Sequence, residues 1–116
     1  MAISFTRDGK TVQLDDMLAF LSEKVAANEP IKEAEHHIAA VPGSKYIKLN
    51  HMRFGKVDSV YCFLDKDGNI YKAATYKAPA KEIRGTVFEE NYSWNRGLGL
   101  YGAAYLKLRE KRPEGT

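Results

Sequence analysis

Four basic side chains, Lys72, Lys77, Lys81 and Arg84, and a single acid, Glu82, lie between Tyr71 and Arg84. That segment nets +3, which is also the net charge of the whole 116-residue chain, so the remaining 14 basic and 14 acidic residues cancel. Tyr71 and Tyr76 are interleaved with the lysines. Ammonium and guanidinium groups recognise phosphate, and tyrosine rings offer faces on which bases stack. Trp94 is a further stacking candidate. The bland alternative is a solvated strand edge, whose long basic stems cover apolar surface and block edge-to-edge pairing.

Other motifs carry less. Gly97-Leu98-Gly99-Leu100-Tyr101-Gly102 matches G-x-G-x-x-G, but no apolar strand precedes it and too few residues follow for a βαβ unit. Asp65-Lys66-Asp67-Gly68 opens like a calcium loop, yet its twelfth position is Tyr76 where a bidentate glutamate is needed. It reads as a hairpin turn. His36 and His37 are adjacent, about 100° apart on the helix expected there, and His51 falls in an expected turn away from them. No metal is expected. Cys62 lies mid-strand with no basic neighbour to activate it, so packing is its expected role. No nucleophile elbow, P-loop or H-E-x-x-H occurs. Neither a catalytic residue nor a cofactor is expected, and the protein is read as a binder and not an enzyme.

The elements that position the basic segment follow from periodicity. Asp8-Gly9, between two alternating runs, predicts an N-terminal hairpin, because both turn residues need positive φ. Asp15 or Asp16 is the expected N-cap of a first helix with Leu14, Leu18, Leu21 and Val25 at helical spacing and Met17 and Phe20 widening the stripe. Pro30 then starts an expected second helix with Ile31, Ala34, Ile38 and Val41 on one face. From Ser44 the period becomes two: strands are predicted at 46–49, 59–64 and 70–76, the second apolar on both faces and therefore central. Residues 79–84 followed by Gly85 read as one helical turn, whose unpaired N–H groups around Ala80 and Lys81 would face an anion flanked by Lys81 and Arg84. A short strand at 86–88, a long loop over 89–102 and a last strand or helix at 103–108 complete the chain. The expectation is one α+β domain over 1–112, with hairpin and helices in 1–43 and a β-rich part in 44–108. Two N-terminal helices would pack on a mainly antiparallel sheet of four to six strands, with 113–116 a frayed tail.

Composition agrees with a globular domain: 44% of residues are apolar and 28% charged. No apolar run reaches the ~20 residues that span a bilayer, and no basic and apolar leader is evident at the N-terminus. One cysteine makes no internal disulfide. Together these predict a reducing, cytoplasmic setting with no membrane partner. Charge is uneven, net −3 over residues 1–41 and net +3 over 94–116.

The run Ser59-Val60-Tyr61, Phe63-Leu64-Asp65-Lys66 and Gly68 through Lys81, with Lys77-Ala78-Pro79-Ala80-Lys81 at its core and Tyr101 to Leu106 as its close, resembles small bacteriophage-encoded proteins of unknown function. Positions 59–106 carry the likeness, which departs at Tyr76, where the group usually has tryptophan. The resemblance implies origin in an infected bacterial host and no activity. With the residues, it sets three expectations. The first is a phosphate-ligand binder, of nucleic acid before other ligands, acting through 71–85. The second is a sponge for a nucleotide-derived signal of host defence, closed by 97–102. The third is an inhibitor docked on a host protein. A homodimer is compatible with each.

Overall fold

A computed structural model describes residues 3–94, 96–99, 102 and 103. The expected N-terminal hairpin is present: β1 (Ser4–Arg7) and β2 (Lys10–Gln13) pair antiparallel, with Asp8 at φ 52° and Gly9 at φ 79° in the turn. Helix α1 (Leu14–Ala27) follows directly. Its N-cap is Gln13, without a side-chain cap bond. Asp15 and Asp16 sit instead in the first turn, where they complement the helix dipole. Leu14, Met17, Leu21 and Val25 form its buried stripe, packed chiefly on β3 (His37–Pro42). Ser22 Oγ accepts the Ile38 N–H at 2.8 Å, fastening helix to strand.

The fold is mostly β, which corrects the α+β expectation of two helices on a sheet. The second helix is absent. Lys32–Ala34 make one 3₁₀ turn, Glu35 reverses the chain at φ 52°, and β3 begins at His37. Burial explains the outcome: Ala34, His36 and Ile38 are buried while Glu35 and His37 are exposed, a period of two that a neighbouring strand satisfies and a helix does not.

β3, β4 (Tyr46–Arg53), β5 (Lys56–Asp65), β6 (Asn69–Ala73) and β7 (Pro79–Thr86) form an antiparallel meander in chain order, with β5 at its centre as expected. The expected helical turn at 79–84 is therefore strand. Pro79 opens an edge strand, a place where its missing donor costs no ladder bond. The N–H groups of Ala80 and Lys81 accordingly form no helix terminus, and the anion site argued from one does not exist. The preceding strand ends at Ala73, earlier than expected. The expected loop over 89–102 contains a tight turn at Glu90–Ser93, with Asn91, Tyr92 and Ser93 all at positive φ, and a small strand, β8 (Leu98–Gly99), paired with β9 (Gly102–Ala103). The expected terminal element at 103–108, beyond Ala103, and the tail 113–116 lie outside the described residues.

Register divides the sheet into two faces. Paired residues share a face, so Ile47, Leu64 and Ile70 form one row and Leu49 with Cys62 another, all buried toward α1. The opposite face carries a row across all five strands: Val41, Lys48, Phe63, Tyr71, Ile83. No helix among the described residues is long and apolar enough to cross a membrane.

Candidate functional site

On this outer face Tyr46 lies edge-on to Phe63 (6.4 Å, 81°) and to Tyr71 (5.8 Å, 79°). Phe63 is thereby buried although it points away from the helix. Beside the cluster is a hollow of about 270 Å³, with Val41, Tyr46, Lys48 and Phe63 as its floor and walls. The tight β3–β4 turn, including Lys45, and Lys77 from the β6–β7 connection complete its rim.

Three ammonium groups converge here. Lys48 Nζ donates to the Tyr76 carbonyl at 3.0 Å and lies 5.8 Å from the Tyr76 ring centroid. Lys77 Nζ sits 5.6 Å from the same centroid, and Lys45 Nζ 5.7 Å from that of Tyr46. The β6–β7 connection is held by its own bonds: Thr75 Oγ1 accepts the N–H groups of Lys77 and Ala78, and the Ala78 carbonyl accepts those of Ala74 and Thr75. Among the described residues, none of those lining the hollow is acidic. An open concavity with clustered ammonium groups and two tyrosine rings suits an anion that carries a planar group.

The residues picked out from sequence are distributed unevenly around it. Lys77 lines the hollow; Tyr76 is not part of its lining but lies beside it, 66% exposed, its carbonyl bonded to Lys48. Lys72 is half-buried on β6, and Lys81 is exposed on β7. Arg84 is mostly buried: it pairs with Glu82 at 3.5 Å, and its Nε has no hydrogen-bond partner among the described residues. Tyr71 donates its hydroxyl to Asp65 Oδ2 at 2.8 Å; that bond, with some burial, pushes its pKa up to about 12. Trp94 packs edge-on to Phe20 of α1, 6.4 Å between centroids. Tyr71 and Trp94 are thus packing residues as placed. Sequence reasoning missed Lys45, Tyr46, Lys48 and Phe63 as site residues. The signal was the alternation Tyr46-Ile47-Lys48-Leu49, which sets tyrosine and lysine together on one face.

A second cluster was also missed. His51 lies in β4, not in a turn, and its Nε2 is 2.8 Å from His36 Nδ1, both rings buried. His36 Nε2 faces Glu29 at 3.7 Å, and His51 Nδ1 faces Asp58 at 3.9 Å. Asp58 is an extra residue in β5, between Ser59 opposite His51 and Val57 opposite Met52; such a bulge re-aims a side chain. Arg53 lies 3.7 Å from Asp58. A bond between two ring nitrogens needs one donor and one acceptor, so one proton serves the pair.

Burial first, then His36, lowers the His51 pKa below its ordinary 6.5, with Arg53 adding to the effect and Asp58 and Glu29 opposing it. The unfolded chain therefore binds a proton near pH ~6.5 that the native protein refuses. Stability is full above that pH and falls as acid carries the solution toward the lower native value. We expect a lower urea midpoint at about pH 5.5 than at about pH 7.5, and a smaller difference in His51→Asn. A midpoint that rises on acidification rules this out.

Residues 8–96 match a family described as a family of unknown function (DUF7717). The chain belongs to that family. The DUF7717 match takes in both the hollow and the histidine pair, and stops short of β8 and β9. No curated protein and no solved structure matches the chain.

Proposed function

We propose that this protein is a non-enzymatic binder of a phosphate-bearing ligand, nucleic acid above all, and that the ligand sits at the outer-face hollow. The observation that carries the reading is the convergence of Lys45, Lys48 and Lys77 with Tyr46 around one concavity lacking an acidic wall, with the Tyr76 ring beside Lys48 and Lys77. Lysines supply charge to phosphate, and Tyr76 supplies an exposed ring face. Lys72 and Lys81 extend the basic surface from neighbouring strands. The resemblance of positions 59–106 to small bacteriophage proteins suits such a binding role in the cytoplasm of an infected bacterium. A sponge that closes residues 97–102 over a nucleotide signal draws no support from Leu98, which is fully buried in the core.

Binding of a fluorescein-labelled oligonucleotide, followed by polarisation, tests the proposal. Three phosphate contacts on a single strand give a slope of about −2 in log K against log salt, or ~15-fold weaker binding from 50 to 200 mM. Lys48→Glu combined with Lys77→Glu should weaken binding by at least ~10-fold while leaving the urea midpoint near that of the parent, since Lys77 is exposed and Lys48 only half-buried. Salt-independent binding, or full affinity in the double variant, rejects the reading.

A further inference from the structure

Resting on that reading, we infer that the hollow and the Tyr76 ring beside it take single-stranded nucleic acid, with an unpaired base against Tyr76 and its flanking phosphates on Lys48 and Lys77. Duplexes are read by convex elements, an α-helix or a two-stranded ribbon that enters a groove. The described residues offer one such helix and two ribbons, of which β8–β9 has its Leu98 fully buried in the core, and neither α1 nor the β1–β2 ribbon is suited. Helix α1 begins with Asp15 and Asp16, packs its apolar stripe on the sheet, and exposes Glu23. In the β1–β2 ribbon, Arg7 donates to the Asp67 carbonyl and to Asn69 Oδ1 at 2.8 and 3.2 Å, and Lys10 to the Phe88 carbonyl at 3.1 Å. Both cations are engaged by the protein itself, as Lys48 is by the Tyr76 carbonyl; the outer face differs in adding Lys45 and Lys77, whose ammonium groups have no hydrogen-bond partner among the described residues.

The outer face has the opposite character: concave, basic and partly apolar. A separated strand presents a base face and a phosphate at each step, and proteins meet it with aromatic rings set among cations. Tyr76 has this arrangement, a largely exposed residue with two ammonium groups 5.8 and 5.6 Å from its ring centroid. The hollow, at about 270 Å³, lies below the usual range of small-molecule sites, ~300–1,000 Å³, and seats one base better than it encloses a whole nucleotide. Binding strength must then come from neighbouring units of a polymer. The row Val41, Lys48, Phe63, Tyr71, Ile83 crosses five strands and so ~19 Å; Phe63 and Tyr71 are packed against Tyr46, and Val41, Lys48 and Ile83 are left to meet those units. It ends in exposed apolar residues, Val41 at 48% and Ile83 at 52% exposure.

The test compares three probes on the full chain: a labelled mixed-sequence strand of about twelve nucleotides, its duplex, and ATP as competitor, with the probe length chosen to exceed the ~19 Å row. The strand should bind at least ~10-fold tighter than the duplex, and ATP at millimolar concentration should displace it poorly. Tyr76→Ala should weaken strand binding about 5- to 150-fold, the range for loss of one stacked base, and Tyr76→Phe should restore it; both should keep the parental urea midpoint. Equal affinity for strand and duplex, or Tyr76→Ala binding as the parent does, overturns this inference but leaves phosphate binding standing. ATP binding as tightly as the strand overturns it in favour of a nucleotide sponge. If none of the three probes binds, both the inference and the proposal beneath it fail.

Discussion

Gly97→Ala should destabilise the protein by about 3 kcal/mol or more, the upper range for forcing extra volume into a packed site. A Cβ at this position would come 1.9 Å from the Arg84 carbonyl oxygen and 2.7 Å from its carbon. Both are backbone atoms of β7, so no rotamer relieves the collision. Either β7 shifts against β6 or the turn at 96–98 peels away, taking fully buried Leu98 from the core. Gly55→Ala is the control. Gly55 has positive φ, +74°, but nothing within 4 Å of the added atom, so it should lose only the ~1–2 kcal/mol of a left-handed residue. Urea denaturation of both variants decides the matter, and a Gly97→Ala midpoint no lower than that of Gly55→Ala contradicts it. The glycine that looked like part of a dinucleotide fingerprint is here a site of close backbone approach.

Asp65→Ala should cost about 2–3 kcal/mol, because one carboxylate holds the β5–β6 turn through charge-assisted bonds. Its oxygens accept the Asp67 and Asn69 N–H groups at 2.9 Å each, Asn69 Nδ2 at 3.0 Å and the Tyr71 hydroxyl at 2.8 Å. The turn in turn receives Arg7, so the N-terminal hairpin should loosen as well. Burial pushes the Asp65 pKa up, but the bonds from Asn69, Tyr71 and Asp67 together outweigh it and hold the carboxyl below its ordinary 3.8. A depressed native pKa means stability that is present above pH ~4 and lost as the pH falls through the native value. The parent should therefore lose stability in acid more steeply than Asp65→Ala, and parallel acid limbs in urea titrations would refute the assignment. Those oxygens bind the chain's own turn, which accounts for the likeness to a calcium loop without an ion.

Much of the fold was legible where the deciding signal is local. Asp8-Gly9 announces its hairpin through backbone conformation alone, and the apolar stripe of α1 is legible because the helix is amphipathic along its length, although Met17 is fully buried where the spacing places Leu18 at the centre. β5 was identified as central since both its faces are apolar. The failures share one cause. Proline opens a helix or an edge strand with the same local preference, so 79–84 is decided by whether β6 offers a partner. Ile31, Ala34, Ile38 and Val41 fit a helical face, and the strand is decided by partners distant in sequence, the pairing of 37–42 with β4 and the burial of His36 against His51, 15 residues away. The site follows the same rule. Its basic and aromatic character was visible around Tyr76 and Lys77. The convergence of Lys45 and Lys48 on them depends on the register of β3 with β4 and of β4 with β5. Tyr71 and Trp94 were chosen by residue type, and composition does not distinguish a ring that stacks on a ligand from one that stacks on Tyr46 or Phe20.

Cys62 has a use beyond packing. It is the single cysteine of the chain, fully buried opposite Leu49 at the centre of the meander, and burial pushes its thiol pKa far up. A thiol reagent reaches it only in molecules whose sheet has parted from α1. The native protein thus carries an intrinsic labelling clock: the rate of alkylation counts openings of the core, with no residue having to be introduced to report them.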